Sequence, residues 1–224
     1  MAPSNRIVIF DLDGTLIDSM TPYTELFCEM LLAECSVPKA ISLPVYTELL
    51  GKGPKAQFAA VLRKLETWNE SLVDDLTRRY WLQAELDEPA LFPEVLGVLQ
   101  DLGHKGDTLI VSSGSIPSSV TRKMRLAGIE RLFRLALGSD EDVPGLAKGA
   151  GHFAMIGEEL SLTAEELRAR SVFVGDGTYD MEVARAAGIR GIGRLTGSNG
   201  EALRAAGAGH VIADLRDLLP LLHG

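Results

Sequence analysis

Apolar and polar positions follow two different patterns along the chain, and the change between them divides the sequence. Near the start, four consecutive apolar residues, Ile7 to Phe10, are typical of a strand buried on both faces. From about residue 18 to residue 90, apolar residues recur at helical spacing without strand character. From Phe92 onward, short apolar runs alternate with helical patterns, which predicts a Rossmann-like parallel sheet with helices on both faces.

These patterns predict an α/β core domain over residues 1–17 and 91–224, with an all-helical domain inserted over residues 18–90. In the insert we expect helices that carry Tyr23 to Leu32, Val45 to Leu50, Phe58 to Leu65 and Leu72 to Leu86. After the insert we expect strands over 108–111, 133–137, 172–174, 189–192 and 210–212, with helices over 94–102, 120–127, 149–160, 181–187, 201–206 and 215–222.

Composition excludes several classes of protein. A chain of 224 residues with 46% hydrophobic and 24% charged residues is an ordinary globular protein. The net charge of −9, with no long basic run, argues against nucleic acid or an anionic membrane as the main partner. Cys28 and Cys35 lie too far apart on one predicted helix to form a disulfide. We therefore expect a cytoplasmic protein with reduced thiols, without a signal peptide, and a monomer by default.

Two carboxylates follow the first predicted strand directly, in Asp11-Leu12-Asp13-Gly14-Thr15. The carboxyl ends of parallel strands open onto the ligand crevice, so we expect Asp11 and Asp13 at its rim. Two acids this close repel each other unless a cation lies between them, which implies a metal. The alternative, a capped loop with solvated acids, does not explain why charges end a buried strand. Because the candidate ligands are oxygens and the histidines are scattered, Mg²⁺ is expected rather than zinc.

A hydroxyl group ends the next predicted strand. Ser112 comes first after the apolar run, and Ser113 and Gly114 supply backbone amides ahead of the next helix. Such a group can hydrogen-bond a phosphoryl oxygen, although a serine-rich turn and helix N-cap is an equally good interpretation of the residues alone.

A second acidic strand end is predicted at Gly175-Asp176. Asp180 follows four residues later, across the start of a helix. We expect Asp176 to bind the metal directly and Asp180 to support it from behind, with an N-cap role as the alternative for either acid.

Together these stretches resemble the haloacid dehalogenase (HAD) superfamily, in its phosphoglycolate phosphatase-like branch with a helical cap. Asp11 to Thr15 resembles the first motif, Ser112 the hydroxyl residue of the second, and Asp176 with Asp180 the fourth. Lys148 resembles the lysine of the third motif, with a solvated surface lysine as the alternative. The chain departs from the family pattern after Lys148, where a proline is common and Gly149 stands instead.

The resemblance implies a phosphatase that acts on a small phosphorylated metabolite through an aspartyl-phosphate. Asp11 would be the nucleophile, and Asp13 the acid and base whose carbonyl joins Asp11 and Asp176 around Mg²⁺. Ser112 and Lys148 would hold the phosphoryl oxygens, and Thr15 would offer its hydroxyl and amide. A phosphomutase of the beta-phosphoglucomutase type shares these residues and is the first alternative; a binding or regulatory module with a residual site is the second.

The helical insert is expected to supply the residues that recognise the leaving group, as caps do in this family. The candidate contact is the loop that carries Lys52 and Lys55, since lysines and glycines between helices can approach an anion. A plain connection between helices with solvated lysines is the alternative.

Overall fold

The computed structural model describes residues 6–49, 52–84, 88–140, 142–143 and 145–224. In this part of the chain, six parallel strands form one sheet with the spatial order β3-β2-β1-β4-β5-β6. The strands are β1 (Ile7–Phe10), β2 (Thr108–Ser112), β3 (Leu135–Leu137), β4 (Ser171–Gly175), β5 (Arg190–Arg194) and β6 (Ala208–Ile212). The predicted parallel α/β fold is confirmed. The strand order reverses at β1, and such a point is where open α/β sheets bind their ligands.

Eleven α-helices lie in the described residues. They are α1 (Met20–Cys35), α2 (Lys39–Glu48), α3 (Pro54–Lys64), α4 (Glu70–Ala84), α5 (Val95–His104), α6 (Pro117–Leu126), α7 (Ala150–Leu160), α8 (Ala164–Arg170), α9 (Thr178–Ala186), α10 (Gly200–Ala206) and α11 (Leu218–His223). Two short 3₁₀ helices cover Glu130–Leu132 and Leu215–Asp217. None of the helices in the described ranges is both long enough and apolar enough to span a bilayer.

Helices cover both faces of the sheet because the side chains of β1 alternate between two apolar clusters. Val8 and Phe10 pack with α5, α6 and α11, whereas Ile7 and Ile9 pack with α7 to α10. All four side chains are fully buried. A parallel strand covered on both faces has no solvent side, which explains why β1 contains only apolar residues.

The helices α1 to α4, which we call the helical segment, pack around an apolar cluster of their own. Phe27 stacks on Phe58 with ring centroids 4.6 Å apart. The Tyr80 ring meets the Phe58 ring edge-on at 6.0 Å. Aromatic pairs in these geometries add to the free energy gained by burial, so the segment has an internal source of stability.

The chain enters and leaves the helical segment at neighbouring positions. Ile17 forms an isolated bridge with Leu91, and the Asp18 amide donates to the Ala90 carbonyl at 2.8 Å. Both connections therefore lie beside the carboxyl end of β1, where the segment can lie over the end of the sheet.

The helix α2 begins at Lys39, well before the predicted start at Val45. A proline inside a helix is unfavourable, but Pro44 lies inside this one. Ser42 and Tyr46 on the same helix are buried, and packing of this kind outweighs the cost of a proline. The predicted helix end at Leu50 and Gly51 lies outside the described residues, as does Leu86.

The helix α8 is absent from the sequence prediction, although the sequence carries a signal for it. Thr163 Oγ1 accepts a hydrogen bond from the Glu166 amide at 3.2 Å, and the Glu166 carboxylate accepts one from the Thr163 amide at 2.8 Å. This reciprocal capping box fixes the start of the helix and is readable as Thr-x-x-Glu.

Candidate active site

The register of the sheet brings the predicted polar strand ends to one edge. Phe10 of β1 lies beside Val111 of β2 and Val174 of β4. Asp11, Ser112 and the pair Gly175-Asp176 come next in the three strands and therefore lie at the same edge of the sheet. The Asp11 amide donates to the Val174 carbonyl at 2.8 Å. Three segments far apart in the sequence meet here because they end neighbouring strands.

Three carboxylates form a buried cluster at this edge. Asp11, Asp176 and Asp180 each offer an oxygen within 4.8 Å of the others. The Lys148 ammonium lies 2.6 Å from Asp11 Oδ1 and 2.5 Å from Asp180 Oδ1. Thr15 Oγ1 donates to Asp176 Oδ1 at 3.0 Å, so its hydroxyl orients a carboxylate.

Burial and mutual repulsion make this cluster electrostatically unusual. Burial raises the pKa of Asp11 to about 7, with the Asp180 charge acting in the same direction and Lys148 opposing it. Burial, followed by the charges of Asp11 and Asp180, raises the pKa of Asp176 well above its usual value. The Lys148 pKa is also raised, because the two carboxylates outweigh the effect of its burial. The cluster therefore holds more negative charge than one ammonium balances.

This donor set fits a divalent cation. The candidate ligands are carboxylate oxygens of Asp11, Asp176 and Asp180, which hard cations prefer, and all three residues are buried. Clustered buried carboxylates are costly unless a positive charge compensates them. A divalent ion would supply that charge without displacing Lys148.

The Asp13 carboxylate lies apart from this cluster and is held by three other groups. Ser19 Oγ donates to Asp13 Oδ1 at 2.9 Å, and Ser115 Oγ donates to Oδ2 at 2.8 Å. Lys123 Nζ lies 2.6 Å from the same Oδ2. Burial opposes ionisation of Asp13, but the Lys123 charge and these hydrogen bonds outweigh it and lower its pKa. The Asp13 carboxylate is therefore not one of the three that form the cluster.

Ser112 faces away from the site. Its Oγ lies 2.8 Å from His152 Nδ1, while His152 Nε2 lies 3.1 Å from the Gly138 carbonyl oxygen. Because a carbonyl can only accept, Nε2 carries the ring proton and the Ser112 hydroxyl donates to Nδ1. The single hydroxyl proton of Ser112 is thus already used inside the protein.

Ser113 and Gly114 line a cavity of about 60 Å³ together with Asp11, Asp13 and Asp176. The opposite wall belongs to the helical segment and comprises Tyr23, Tyr46, Gly53, Pro54, Gln57, Tyr80 and Trp81. Ser112 is not part of this lining. The geometry therefore favours Ser113 over Ser112 as the strand-end hydroxyl near a ligand, which differs from the sequence-based choice.

The two lysines of the candidate recognition loop are in different environments. Lys52 lines a neighbouring cavity of about 310 Å³, where its ammonium lies 5.6 Å from the centre of the Tyr179 ring. Lys55 also lines this cavity but forms an ion pair with Asp74 at 3.2 Å. Lys148 lies in the wall between this cavity and the carboxylate cluster.

The sequence analysis missed Lys123, Ser115 and His152. Lys123 carried a readable signal, because it lies beside Val120 and Met124 on the buried stripe of α6, where a charged residue is unexpected. His152 and Ser115 carried none, since serines and scattered histidines are common in turns and cores. Their contacts join residues far apart in the chain.

Comparisons with known proteins give the family of the chain. Residues 6–188 match the family model of haloacid dehalogenase-like hydrolases. The phosphoglycolate phosphatase of Pectobacterium atrosepticum is 30% identical over 222 residues, covering 97% of this chain and 92% of that protein. The phosphoglycolate phosphatase of Yersinia pestis is 31% identical over 222 residues, with coverages of 97% and 93%.

Solved structures show the same fold. A haloacid dehalogenase-like family hydrolase from Streptococcus pneumoniae superposes with a TM-score of 0.79 at 21% identity, covering 98% of this chain and 99% of that one. The protein is therefore a hydrolase with a HAD-type α/β core. It belongs to the haloacid dehalogenase-like hydrolase family.

Proposed function

We propose that the protein is a Mg²⁺-dependent phosphatase that hydrolyses a small phosphomonoester through a phosphoaspartate at Asp11. The family and the phosphoglycolate phosphatase names of its relatives indicate a phosphatase. The observation that carries the mechanism is the buried Asp11 carboxylate, which lies beside the Lys148 ammonium at the wall of a small cavity. A poorly solvated carboxylate in such a place fits the role of a nucleophile.

The first chemical step would transfer the phosphoryl group to Asp11. A carboxylate oxygen of Asp11 forms a bond to phosphorus while the bond from phosphorus to the leaving-group oxygen breaks. Asp13 gives a proton to that oxygen, so the product leaves as a neutral alcohol. Both residues line the cavity, which supports this division of roles.

The second step would restore the enzyme. Water forms a bond to phosphorus, its proton passes to Asp13, and the bond from phosphorus to the Asp11 oxygen breaks to give inorganic phosphate. The proton that Asp13 receives here is the one it gives up in the next cycle. Each turnover therefore consumes one water and returns Asp11 to the carboxylate and Asp13 to the protonated acid with which the cycle began.

Other residues would bind the phosphoryl oxygens. Lys148 supplies positive charge, and Ser113 with the amide of Gly114 supplies donors at the cavity wall. Mg²⁺ held by Asp11, Asp176 and the Asp13 carbonyl would shield negative charge between the nucleophile and the phosphoryl group. Asp180 would hold the Lys148 ammonium in position without binding the metal itself, and the 2.5 Å distance between Asp180 Oδ1 and Lys148 Nζ supports this role.

We propose that the helical segment, residues 18–90, acts as a cap that selects the leaving group. Its aromatic side chains form the wall opposite Asp11 and Asp13, and the cavity between them is small, about 60 Å³. The names of the relatives make glycolate the first leaving group to test. Lys52 in the adjoining cavity is the candidate contact for a charged or longer substrate.

A screen of phosphorylated metabolites, including phosphoglycolate, tests the proposal. We expect release of inorganic phosphate that requires Mg²⁺ and stops on addition of EDTA. A phosphomutase would instead yield an isomer and depend on a bisphosphate activator. Isomer formation without phosphate release, or no turnover of any phosphomonoester, would overturn the proposal.

A further inference from the structure

In the part of the chain that the structure describes, Lys123 of α6 is a buried lysine at the site that the mechanism above does not use. Its side chain is 3% exposed, and its ammonium lies 2.6 Å from Asp13 Oδ2 and 3.3 Å from Ser115 Oγ. A long helical side chain points toward the N-terminal end of its helix, which here is the turn that carries Ser115. Lys123 thus reaches back from α6 to the acid that the mechanism uses for proton transfer.

The remaining surface of the Lys123 ammonium is covered by the helical segment. It lies 4.9 Å from the centre of the Tyr23 ring and 5.7 Å from the centre of the Trp81 ring. These rings belong to α1 and α4 and shield the ion pair from solvent, which strengthens its electrostatic attraction. Both rings also line the cavity that Asp13 faces.

The three groups that donate hydrogen bonds to the Asp13 carboxylate differ in charge. Ser19 and Ser115 are neutral and each contributes one hydrogen bond. Lys123 contributes the only charge among these three donors, and a charge-assisted hydrogen bond is roughly twice as strong as a neutral one. Without it, the Asp13 carboxylate would keep two weak contacts and lose the one that ties it to α6 and to the aromatic wall.

We propose that Lys123 is a positioning residue that fixes the Asp13 carboxylate toward the leaving group when the helical segment lies over the site. This inference rests on the proposed phosphatase function, in which Asp13 protonates the leaving oxygen as the bond to phosphorus breaks. Lys123 does not line the cavity and its ammonium is bonded to Asp13 and Ser115, so it acts through Asp13.

The test compares Lys123→Met, which keeps the side-chain length and removes the charge, with Lys64→Met, the same change at an exposed lysine of α3. Each variant is assayed on an alkyl phosphate, whose alkoxide leaves poorly, and on p-nitrophenyl phosphate, whose phenolate leaves without protonation. We expect Lys123→Met to lower kcat/KM about 10- to 100-fold on the alkyl phosphate and less than about 3-fold on the aryl phosphate. Lys64→Met should change neither.

A double variant shows whether Lys123 acts through Asp13. In an Asp13→Asn background, adding Lys123→Met should cause no further loss of kcat/KM on the alkyl phosphate. Lys123→Arg, which restores the charge, should recover part of the activity. Independent, multiplicative losses in the double variant would overturn the inference, as would an equal loss on both substrates.

Circular dichroism and thermal melting establish whether Lys123→Met folds. If it does not fold, the test uses Ser115→Ala, which removes the neutral donor from the same Asp13 oxygen. A loss of kcat/KM confined to the alkyl phosphate supports the inference. An equal loss on both substrates overturns it. Inactive Asp11→Asn with fully active Lys123→Met would overturn only this inference. Full activity in Asp11→Asn would instead overturn the proposed function.

Discussion

The two serines after β2 show how far the sequence alone can define single residues of the candidate site. The sequence indicates that a hydroxyl follows β2, but two serines are adjacent there. His152 lies 40 residues from Ser112 in the chain and takes its hydroxyl, which leaves Ser113 at the cavity. A choice between neighbours thus depends on a tertiary contact that no local pattern encodes.

The buried imidazole of His152 should make stability depend on pH. Burial lowers the pKa of His152 from 6.5 to about 4, so the unfolded chain takes up a proton before the folded protein does. The contribution of His152 to the free energy of unfolding is therefore complete above pH 6.5 and is lost as pH falls toward 4. At pH 5, about 2 kcal/mol should be lost, at 1.36 kcal/mol for each pH unit.

Urea unfolding at pH 7.5 and pH 5 measures this loss. The His152→Asn variant keeps a side-chain acceptor for Ser112 but cannot titrate. Between pH 7.5 and pH 5, its free energy of unfolding should therefore decrease less than that of the wild type, by a difference of about 2 kcal/mol. His104→Asn, at an exposed histidine of α5, is the matched control and should behave like the wild type. The same pH dependence in His152→Asn and wild type would contradict the assignment of this buried neutral ring.

Asp176 provides a test of the metal that does not need activity. Because its carboxylate is buried beside Asp11 and Asp180, a divalent cation should stabilise the folded protein. At a hundredfold excess over its dissociation constant, Mg²⁺ should add about 2.7 kcal/mol, which raises Tm by roughly 5 to 10 °C.

The Asp176→Asn variant should melt at a higher temperature than the wild type without Mg²⁺, since one of three clustered charges is gone. It should show little further rise when Mg²⁺ is added. Asp101→Asn, at an exposed acid of α5, should keep the full Mg²⁺ response. An undiminished response in Asp176→Asn would place the cation elsewhere.

At the scale of whole elements, apolar periodicity was a good guide where packing and propensity agree. The buried run of β1 and the helices of the core other than α8 were readable because each has a clear apolar pattern. The start of α2 was wrong, because packing of Ser42 and Tyr46 overrides the proline at 44. The helix α8 was missed because only Leu167 of its residues is fully buried, so its apolar stripe is weak.

The capping box should account for a measurable part of the stability of α8. Thr163→Ala removes the hydroxyl that accepts from the Glu166 amide, and should lower the free energy of unfolding by about 1 kcal/mol. Thr163→Ser keeps the hydroxyl and should stay within about 0.5 kcal/mol of the wild type. Equal losses in the two variants, measured by urea unfolding, would show that the hydroxyl does not stabilise this helix.

On the scale of the whole molecule, the sheet topology brings the site together. Asp11, Asp176 and Asp180 converge because β1 and β4 are neighbours, and the alternation of helix and strand was enough to predict one polar edge. The contacts of Lys123 with Asp13 and with the aromatic wall were not predictable, because they depend on how the helical segment lies against the sheet. Sequence patterns describe each element but carry little information on such packing.

The central claim is that Asp11 carries the phosphoryl group during turnover. Quenching the reaction with borohydride reduces a phosphoaspartate to homoserine, and peptide mass spectrometry then locates the modified residue. We expect homoserine at position 11 only when substrate and Mg²⁺ are both present, and none in the Asp11→Asn variant. Homoserine at another aspartate would contradict the account. So would its complete absence from enzyme that was releasing phosphate at the moment of quenching.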